Sequence, residues 1–543
     1  MQRIASIAFA ILLGSLFSVA LWFRVTSLES MPSPDGDEAW YGVQAHRFLT
    51  GQPFEAFTPY ANPLNPFFSG LHLPALLALK PALWHLRVPA ALCGILAVVG
   101  TYVLGCRVLD RTTALIASAL LAVLPVAIVF SRYGYDASQT PLFTLLALYF
   151  AFRANRVGVV LAFLASYIVH PTNVFALPAV LCVFLAQELR KAPGDRARQA
   201  RVAVATLVVP TAFALVVGYI TLRRPQLRAM FREGSGQALG HHDVLRTLTM
   251  WRRLLLGIPI DPSASSAASR WNDGLFWVPL LGLFALGTRR LVLDRRWDRV
   301  ALVAGTFASA GGFFVVAGTD AIPPLWAAFL RYGLFLVMPA VLATACVARS
   351  LLIEPTSPPR ALARRLQYAG LLALGAALLF GAKWNWFDPF TRDGAESVWT
   401  LKTDVKSAFH QASSAIRRDL APRRPATDPV TTIITEDHWI QRPMEYLCSP
   451  RPDLQVVAYD VWEGWDRARH QQLLREHMES GGFAVCRAGR DLENDLKAAF
   501  PLERLRRWDL IGRDGPTIVV YRLKPAPAVA GSPAASRPDS PRR

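Results

Sequence analysis

The stretch Leu86–Phe143, LRVPAALCGILAVVGTYVLGCRVLDRTTALIASALLAVLPVAIVFSRYGYDASQTPLF, decides the fold class of this chain. It holds two apolar runs and opens a third, Trp84–Cys106, Thr113–Phe130 and Pro141–Arg153. Short polar joints separate them, basic at Arg107–Arg111 and mixed at Ser131–Thr140. At about 1.5 Å of rise per residue, runs of this kind reach across a bilayer or nearly so. Working outward, similar runs occur at Ile4–Phe23, Val157–Val169, Val174–Leu189, Val202–Leu222, Leu275–Thr288, Val300–Ala317, Leu330–Ala348 and Gln367–Trp384. The reading is therefore an all-α polytopic membrane domain of about 11 transmembrane helices. Ile4–Phe23 is longer than a secretory h-region and reads as a retained first helix.

Composition agrees. Hydrophobic residues make up 53% of the 543, and the mean hydropathy is +0.29. The net charge of +19 would suggest nucleic acid in a soluble protein. Here the cations gather in short loops between apolar runs: Arg3, Arg107–Arg111, Arg153–Arg156, Arg190–Arg201, Arg289–Arg299 and Arg349–Arg365. Those are alternate loops, so they share one side, expected to be cytoplasmic. The other side receives the long loops 24–83 and 223–274, the turns Ser131–Thr140 and His170–Asn173, the segment Gly318–Phe329 and everything after Trp384. Six cysteines imply no disulfide framework; Cys448 and Cys486 could pair if the C-terminal part is extracytoplasmic.

The domain reading is residues 1–387 as the membrane domain, 388–429 as a linker, 430–524 as a small soluble α/β domain and 525–543 as a disordered tail. In 430–524 strands are expected at Val430–Thr435, Leu454–Tyr459, Phe483–Arg487 and Thr517–Leu523. Helices are expected at Trp439–Cys448, Arg467–Ser480 and Leu492–Phe500. No Gly-rich phosphate loop and no strong metal motif are visible there.

The chemistry-bearing residues gather on the outer side. Asp37 and Glu38 sit in PSPDGDEAWYGVQAHRFLTGQP, Pro32–Pro53, an amphipathic stretch closed by Gly51. The plain reading is that Asp37 caps a helix on the membrane surface with Glu38 in its first turn. The functional one is that one carboxylate acts as general base on an attacking hydroxyl or amine, and the other holds the acceptor or a metal. Arg132 and Asp136 lie in the turn after the third run, where an aromatic-belt anchor competes with contacts to a phosphate and a sugar hydroxyl. His170 ends the fifth run, and Arg331 with Tyr332 opens a later one. Each is either structural or a contact to the phosphate of a lipid carrier. His241 and His242 are adjacent and make a poor metal pair. A mixed acidic and basic set at a lipid–water boundary suits a substrate with a phosphate, a sugar and a lipid tail.

These segments resemble the polytopic glycosyltransferases of the GT-C fold, in particular the branch of protein O-mannosyltransferases and lipid A aminoarabinose transferases. GDEAWYGVQAHRFLTGQ is similar to the family's acidic motif in the first outer loop. The Leu86–Phe143 stretch is similar to its second to fourth spans, YIVHPTNVFALPAV to its fifth-to-sixth turn, and FLRYGLFLVMPAVL to a later Arg-Tyr span start. The resemblance implies a polyprenyl-phosphate-linked sugar donor and an extracytoplasmic lipid, glycan or protein acceptor. It implies Asp37 as the motif acid and Asp136 as a second one, in a bacterial inner-membrane protein with cytoplasmic N-terminus and periplasmic C-terminal domain. A divalent metal is a candidate cofactor. Where lipid A transferases carry a Lys-Pro-Pro-like segment, this chain has Ala61-Asn62-Pro63-Leu64-Asn65-Pro66. The alternative is a transporter or flippase of lipid-linked sugars, which calls for charged or broken mid-membrane helices and internal repeats; neither is visible.

Overall fold

The computed structural model describes residues 2–29, 36–56, 64–78, 82–191, 204, 267–317, 333–352, 405–420, 430–448, 454–459, 467–512 and 515–523. Two compact units emerge, Met1–Lys406 and Ser407–Arg543. The expected runs Val202–Leu222 and Gln367–Trp384 lie outside the described residues, Val204 apart. So do Arg331, Tyr332, His241, His242 and the tail.

The first unit is helical among its described residues: α1 Gln2–Val25, α2 Gly36–Leu49, α3 Pro66–Ala78, α4 Leu83–Val108, α5 Arg111–Val123, α6 Pro125–Phe130, α7 Thr140–Phe152, α8 Arg156–Val169, α9 Leu177–Arg190, α10 Ala267–Leu293, α11 Trp297–Ala317 and α12 Val337–Leu352. Among the described residues three stretches are long and apolar enough to cross a membrane, Leu83–Val108, Pro171–Arg190 and Leu334–Leu351, and shorter apolar helices lie at Phe9–Val25, Arg111–Val123 and Arg156–Val169. The third expected run is not continuous. It breaks at Leu124, and Pro125, which has no N–H to donate, starts α6. The sixth run opens with a 3-10 turn, Pro171–Ala176, before α9. A shared core draws on α1, α4, α5, α7, α9, α11 and α12, with Ala97, Val98, Leu121, Leu148, Val180, Leu302 and Met338 buried in it. Large apolar side chains on the outside, Ile7, Ile11, Val157, Leu161 and Val278 among them, are exposed. Apolar surface on this scale belongs in lipid, and the chain is a membrane protein.

The cationic loops meet one another. Asp110 caps α5 through the Thr113 N–H at 2.9 Å, and Arg299 reaches its carboxylate at 2.9 Å and Arg349 at 3.5 Å. Glu188 holds Arg156 at 2.6 Å and Lys191 at 3.0 Å, while Arg190 lies 3.7 Å from Asp298. Loops at 107–111, 153–156, 190–191, 289–299 and 349 therefore share one end of the unit.

The second unit is a five-stranded sheet of order β2-β1-β3-β5-β4, with β1 Thr431–Thr435, β2 Leu454–Ala458, β3 Phe483–Arg487, β4 Leu505–Gly512 and β5 Gly515–Leu523. β1 pairs in parallel with β2 and β3, with Ile433 opposite Val456 and Ile434 opposite Ala484. β5 runs antiparallel to β3 and β4. The helices are α13 Val405–Leu420, α14 His438–Cys448, α15 Arg467–Glu479 and α16 Asp491–Ala499. β1 is buried throughout, as a central strand covered on both faces must be. Two elements escaped the sequence reading. β4 is an edge strand, and Arg506, Arg507 and Asp509 break its apolar pattern. α13 falls in 388–429, where no helix is expected, yet Phe409, Ala412, Ile416 and Leu420 are buried at helical spacing. Cys448 and Cys486 are both buried, and no disulfide joins them.

Candidate active site

α2 begins two residues earlier than a capping Asp37 requires: Gly36 is its first residue, and Asp37 and Glu38 lie in the first turn. Both carboxylates then sit at the positive end of the helix dipole. The helix stops as the sequence indicates. Gly51 has φ +69°, its N–H bonds the Phe48 carbonyl at 3.3 Å, and the Gln52 N–H bonds the Arg47 carbonyl at 2.9 Å. That is a Schellman closure, for which glycine carries no steric penalty. Trp40 and Tyr41 bury the inner face of α2 against Phe68 of α3 and Ala90 of α4.

Adjacent in sequence, the two carboxylates have different surroundings. Glu38 is fully buried. It accepts from Arg87 Nε at 3.1 Å and Nη2 at 2.6 Å, and from the Gly134 N–H at 3.0 Å. Arg87, equally buried, also donates from Nη1 to the Leu28 carbonyl at 3.0 Å. This is a bidentate, charge-assisted pair with its remaining capacity used inside the protein. Asp37 is only half-buried. Glu38 is thus held inside the protein, while Asp37 retains solvent exposure.

Gly134 is required by close approach. A Cβ there would lie 2.8 Å from the Leu86 carbonyl oxygen and 3.2 Å from Glu38 Cβ. It ties the turn after α6, and hence Asp136 two residues on, to the acidic motif. Asp136 is half-buried and accepts from the Ala137 N–H at 2.7 Å, starting the 3-10 turn Asp136–Gln139. Gln139 in turn accepts from Asn65 Nδ2 at 3.1 Å, and Asn65 also reaches the Val169 carbonyl at 3.4 Å. Asn65 caps α3 through the Phe67 and Phe68 N–H groups at 3.0 and 3.2 Å. One residue past Val169, His170 engages Thr172 Oγ1 through Nδ1 at 2.7 Å, which orients its ring. Hydrogen bonds thus join Glu38 to the turn that carries Asp136, and Asn65 joins that turn to the end of α8 beside His170; Asp37 neighbours Glu38 in the chain.

Arg132 is fully buried. It donates to the Phe23 and Thr26 carbonyls at 2.7 and 2.6 Å, where α1 ends. Buried Arg24 donates to the Leu121 and Ala122 carbonyls at 3.0 and 3.1 Å, where α5 ends. Cations at helix C-termini satisfy orphan carbonyls and oppose the dipole. Both thus knit helix ends together.

The sequence reading did not single out Arg87, Gly134, Asn65 or Arg24 as site residues. Arg87 carried a usable signal, a cation inside an otherwise apolar run. Gly134, between two tyrosines, carried a weaker one. Among the described residues no three His, Cys, Asp or Glu side chains cluster as a metal site would need.

The family model described as dolichyl-phosphate-mannose-protein mannosyltransferase matches residues 66–217. Among solved structures, ArnT from Cupriavidus metallidurans in the apo state is 13% identical, with 95% of this chain and 98% of ArnT covered and a TM-score of 0.51. ArnT bound to undecaprenyl phosphate is 14% identical over the same shares, again at TM-score 0.51. Archaeal oligosaccharyltransferase AglB from Archaeoglobus fulgidus, in complex with an inhibitory peptide and a dolichol-phosphate, is 14% identical, with 88% and 69% covered and a TM-score of 0.50. Comparison with curated proteins returns no significant match. At these identities the structural likeness defines a class by fold, the polytopic GT-C architecture followed by a small α/β unit. The resemblance to GT-C glycosyltransferases of the protein mannosyltransferase and aminoarabinose transferase kind, read from the motifs above, holds.

Proposed function

We propose that this chain is an integral membrane glycosyltransferase. It takes a sugar from a polyprenyl-phosphate-linked donor and passes it to a lipid, glycan or protein acceptor on the outer side. One observation carries the reading: half-buried Asp37 stands beside the sealed Glu38–Arg87 pair, at the end of the unit away from the cationic loops. The undecaprenyl phosphate bound by ArnT and the dolichol-phosphate bound by AglB support a lipid-phosphate donor.

In the proposed step Asp37 accepts the proton of the acceptor hydroxyl or amine as its lone pair attacks the anomeric carbon. The bond from that carbon to the phosphate oxygen breaks, and the polyprenyl phosphate leaves with the electron pair, inverting the anomeric centre. Glu38 and Arg87 hold the backbone that carries Asp37. His170 and Asp136 are proposed contacts for carrier phosphate and sugar, with Arg331 and Tyr332 proposed to join them. Arg132, proposed as a phosphate contact, acts here by tying α1 to the turn that bears Asp136, and its buried charge favours an anionic leaving group nearby. No step is routed through a metal; turnover with and without EDTA tests the candidate divalent ion. The proposed setting is the bacterial inner membrane, with the N-terminus cytoplasmic and the second unit periplasmic.

The test compares envelope lipids and glycans by mass spectrometry in a deletion strain complemented with wild type or Asp37→Asn. Loss of the base is expected to slow transfer roughly 10²–10⁴-fold while the protein accumulates normally. Restoration of the glycan by Asp37→Asn at wild-type level would sink the assignment. Loss of carrier lipid from the outer leaflet, with glycosidic linkages intact, would point instead to a flippase.

A further inference from the structure

The cationic end of the first unit carries a patch that the proposed reaction does not use. Along α8, Val157, Val160, Leu161, Leu164 and Ile168 form one helical stripe, with exposures of 68, 51, 61, 39 and 42%. Their spacing of three and four residues puts them on a single face. Arg153, Arg156 and Lys191 crown that face, and all three are exposed. Glu188 is the carboxylate that meets Arg156 and Lys191, and it is 3% exposed, whereas they are 65% and 47% exposed at their side chains. Lys191 also donates to the Ala154 carbonyl at 3.1 Å, which fixes it beside the start of α8.

Arg156 and Lys191 thus share one inward-turned carboxylate and exposed Arg153 adds a third cation, leaving positive charge at the surface at the N-terminal end of an apolar stripe. The neighbouring loops differ. Asp110, which meets Arg299 and Arg349, is 33% exposed, and Asp294, which meets Arg290 at 3.1 Å, is 27% exposed, so carboxylate charge reaches the surface beside those cations. An acyl chain fits the stripe, and a phosphate fits the crown, because each arginine offers five N–H donors and few are spent on Glu188.

We infer that α8 and the crown of Arg153, Arg156 and Lys191 form a binding site for one anionic phospholipid of the bilayer, with its headgroup phosphate on the cations and a chain along Val157–Ile168. Such a lipid gains both electrostatic attraction and apolar contact, which a zwitterionic neighbour gains only in part. This inference does not depend on the glycosyltransferase reading.

Native mass spectrometry and thermal shift of the full chain in detergent test it, with added phosphatidylglycerol or phosphatidylcholine. Wild type is expected to retain phosphatidylglycerol and to melt higher with it than with phosphatidylcholine. Arg153→Gln/Lys191→Gln, which keeps the Arg156–Glu188 pair, is expected to weaken phosphatidylglycerol retention at least fivefold. Arg289→Gln, exposed in the last turns of α10, is the control and is expected to leave it unchanged. Equal retention of the two lipids by wild type overturns the site, as does an unaltered double variant or an equal loss in the control. An equal stabilisation by inorganic phosphate alone overturns the lipid identity. A stripe found buried between two copies of the chain in cross-linking overturns it too.

Discussion

The difference between Asp37 and Glu38 shows how one helix turn separates two chemically similar side chains. Glu38 points to three donors and is sealed; Asp37, one position before it, is half-buried. The sealed pair makes a measurable claim. Removing one partner of a buried ion pair strands a charge, at a cost of about 3–5 kcal/mol. Arg87→Ala is therefore expected to lose stability and transfer together. Glu38→Leu/Arg87→Met removes both charges, and its stability is expected to recover most of that loss, because apolar replacement of a whole pair is often neutral. Transfer is expected to stay low in the double variant, since the Gly134 N–H contact and the aim of α2 go with Glu38. Thermal unfolding beside transfer rate checks this. A double variant as unstable as Arg87→Ala, or one with full turnover, contradicts the anchoring role.

Asn65 is a junction between elements: it caps α3 and reaches both the 3-10 turn after Asp136 and the end of α8. Asn65→Ala is expected to cost about 1–2 kcal/mol for the cap, and to lower turnover further by freeing the end of α8 beside His170; Asn65→Asp, which keeps the cap oxygen, is expected to restore stability more than activity. Transition temperature set against transfer rate reads the two apart. In the second unit, Glu493 of α16 bonds the Tyr521 hydroxyl of β5 and the Gly489 N–H, and Lys497 lies at 2.9 Å. Burial works to raise its pKa, but those hydrogen bonds and the lysine prevail and bring it down to about 2. A depressed carboxylate stabilises above its unfolded pKa of about 4.3, and that stability is lost as pH falls toward 2, on the order of 3 kcal/mol in all. Hydrogen exchange on β3 and β5 of the full chain is expected to accelerate over that window in wild type, and to do so less in Glu493→Gln. These elements also show what the sequence could reveal. Long apolar helices and the parallel strands follow from composition and period. The edge strand Leu505–Gly512 and the helix Val405–Leu420 do not, because their charged faces dilute the apolar pattern. Asp136 and His170 stand out in the sequence as polar residues at the ends of apolar runs, and Asp37 as half of an acidic pair in the first long loop, which is why they are proposed for the site. The roles of Arg87, Gly134 and Asn65 were not legible there, since each rests on a contact across at least 48 residues of chain, from Arg87 to Glu38, Gly134 to Glu38 and Asn65 to Gln139.

The described helices of the first unit have a polarity of their own. Five cationic loops contact one another at one end, and the hydrogen bonds that join Glu38 to Gly134 and Asn65 to Gln139 include none of them. A charged loop crosses a bilayer only at high cost, so cations clustered at one end set which end stays in the cytoplasm. The proposed topology then places Gln52, just past α2, outside and Arg295, between α10 and α11, inside. Both are exposed, and the native cysteines are buried or partly so, which makes cysteine labelling a clean probe. In a background with the native cysteines replaced, Gln52→Cys is expected to react with a membrane-impermeant maleimide in spheroplasts. Arg295→Cys is expected to react only after permeabilisation. The reverse pattern would put Asp37 in the cytoplasm, where a lipid-linked donor and an extracytoplasmic acceptor could not meet it, and the proposed function would fall with the topology.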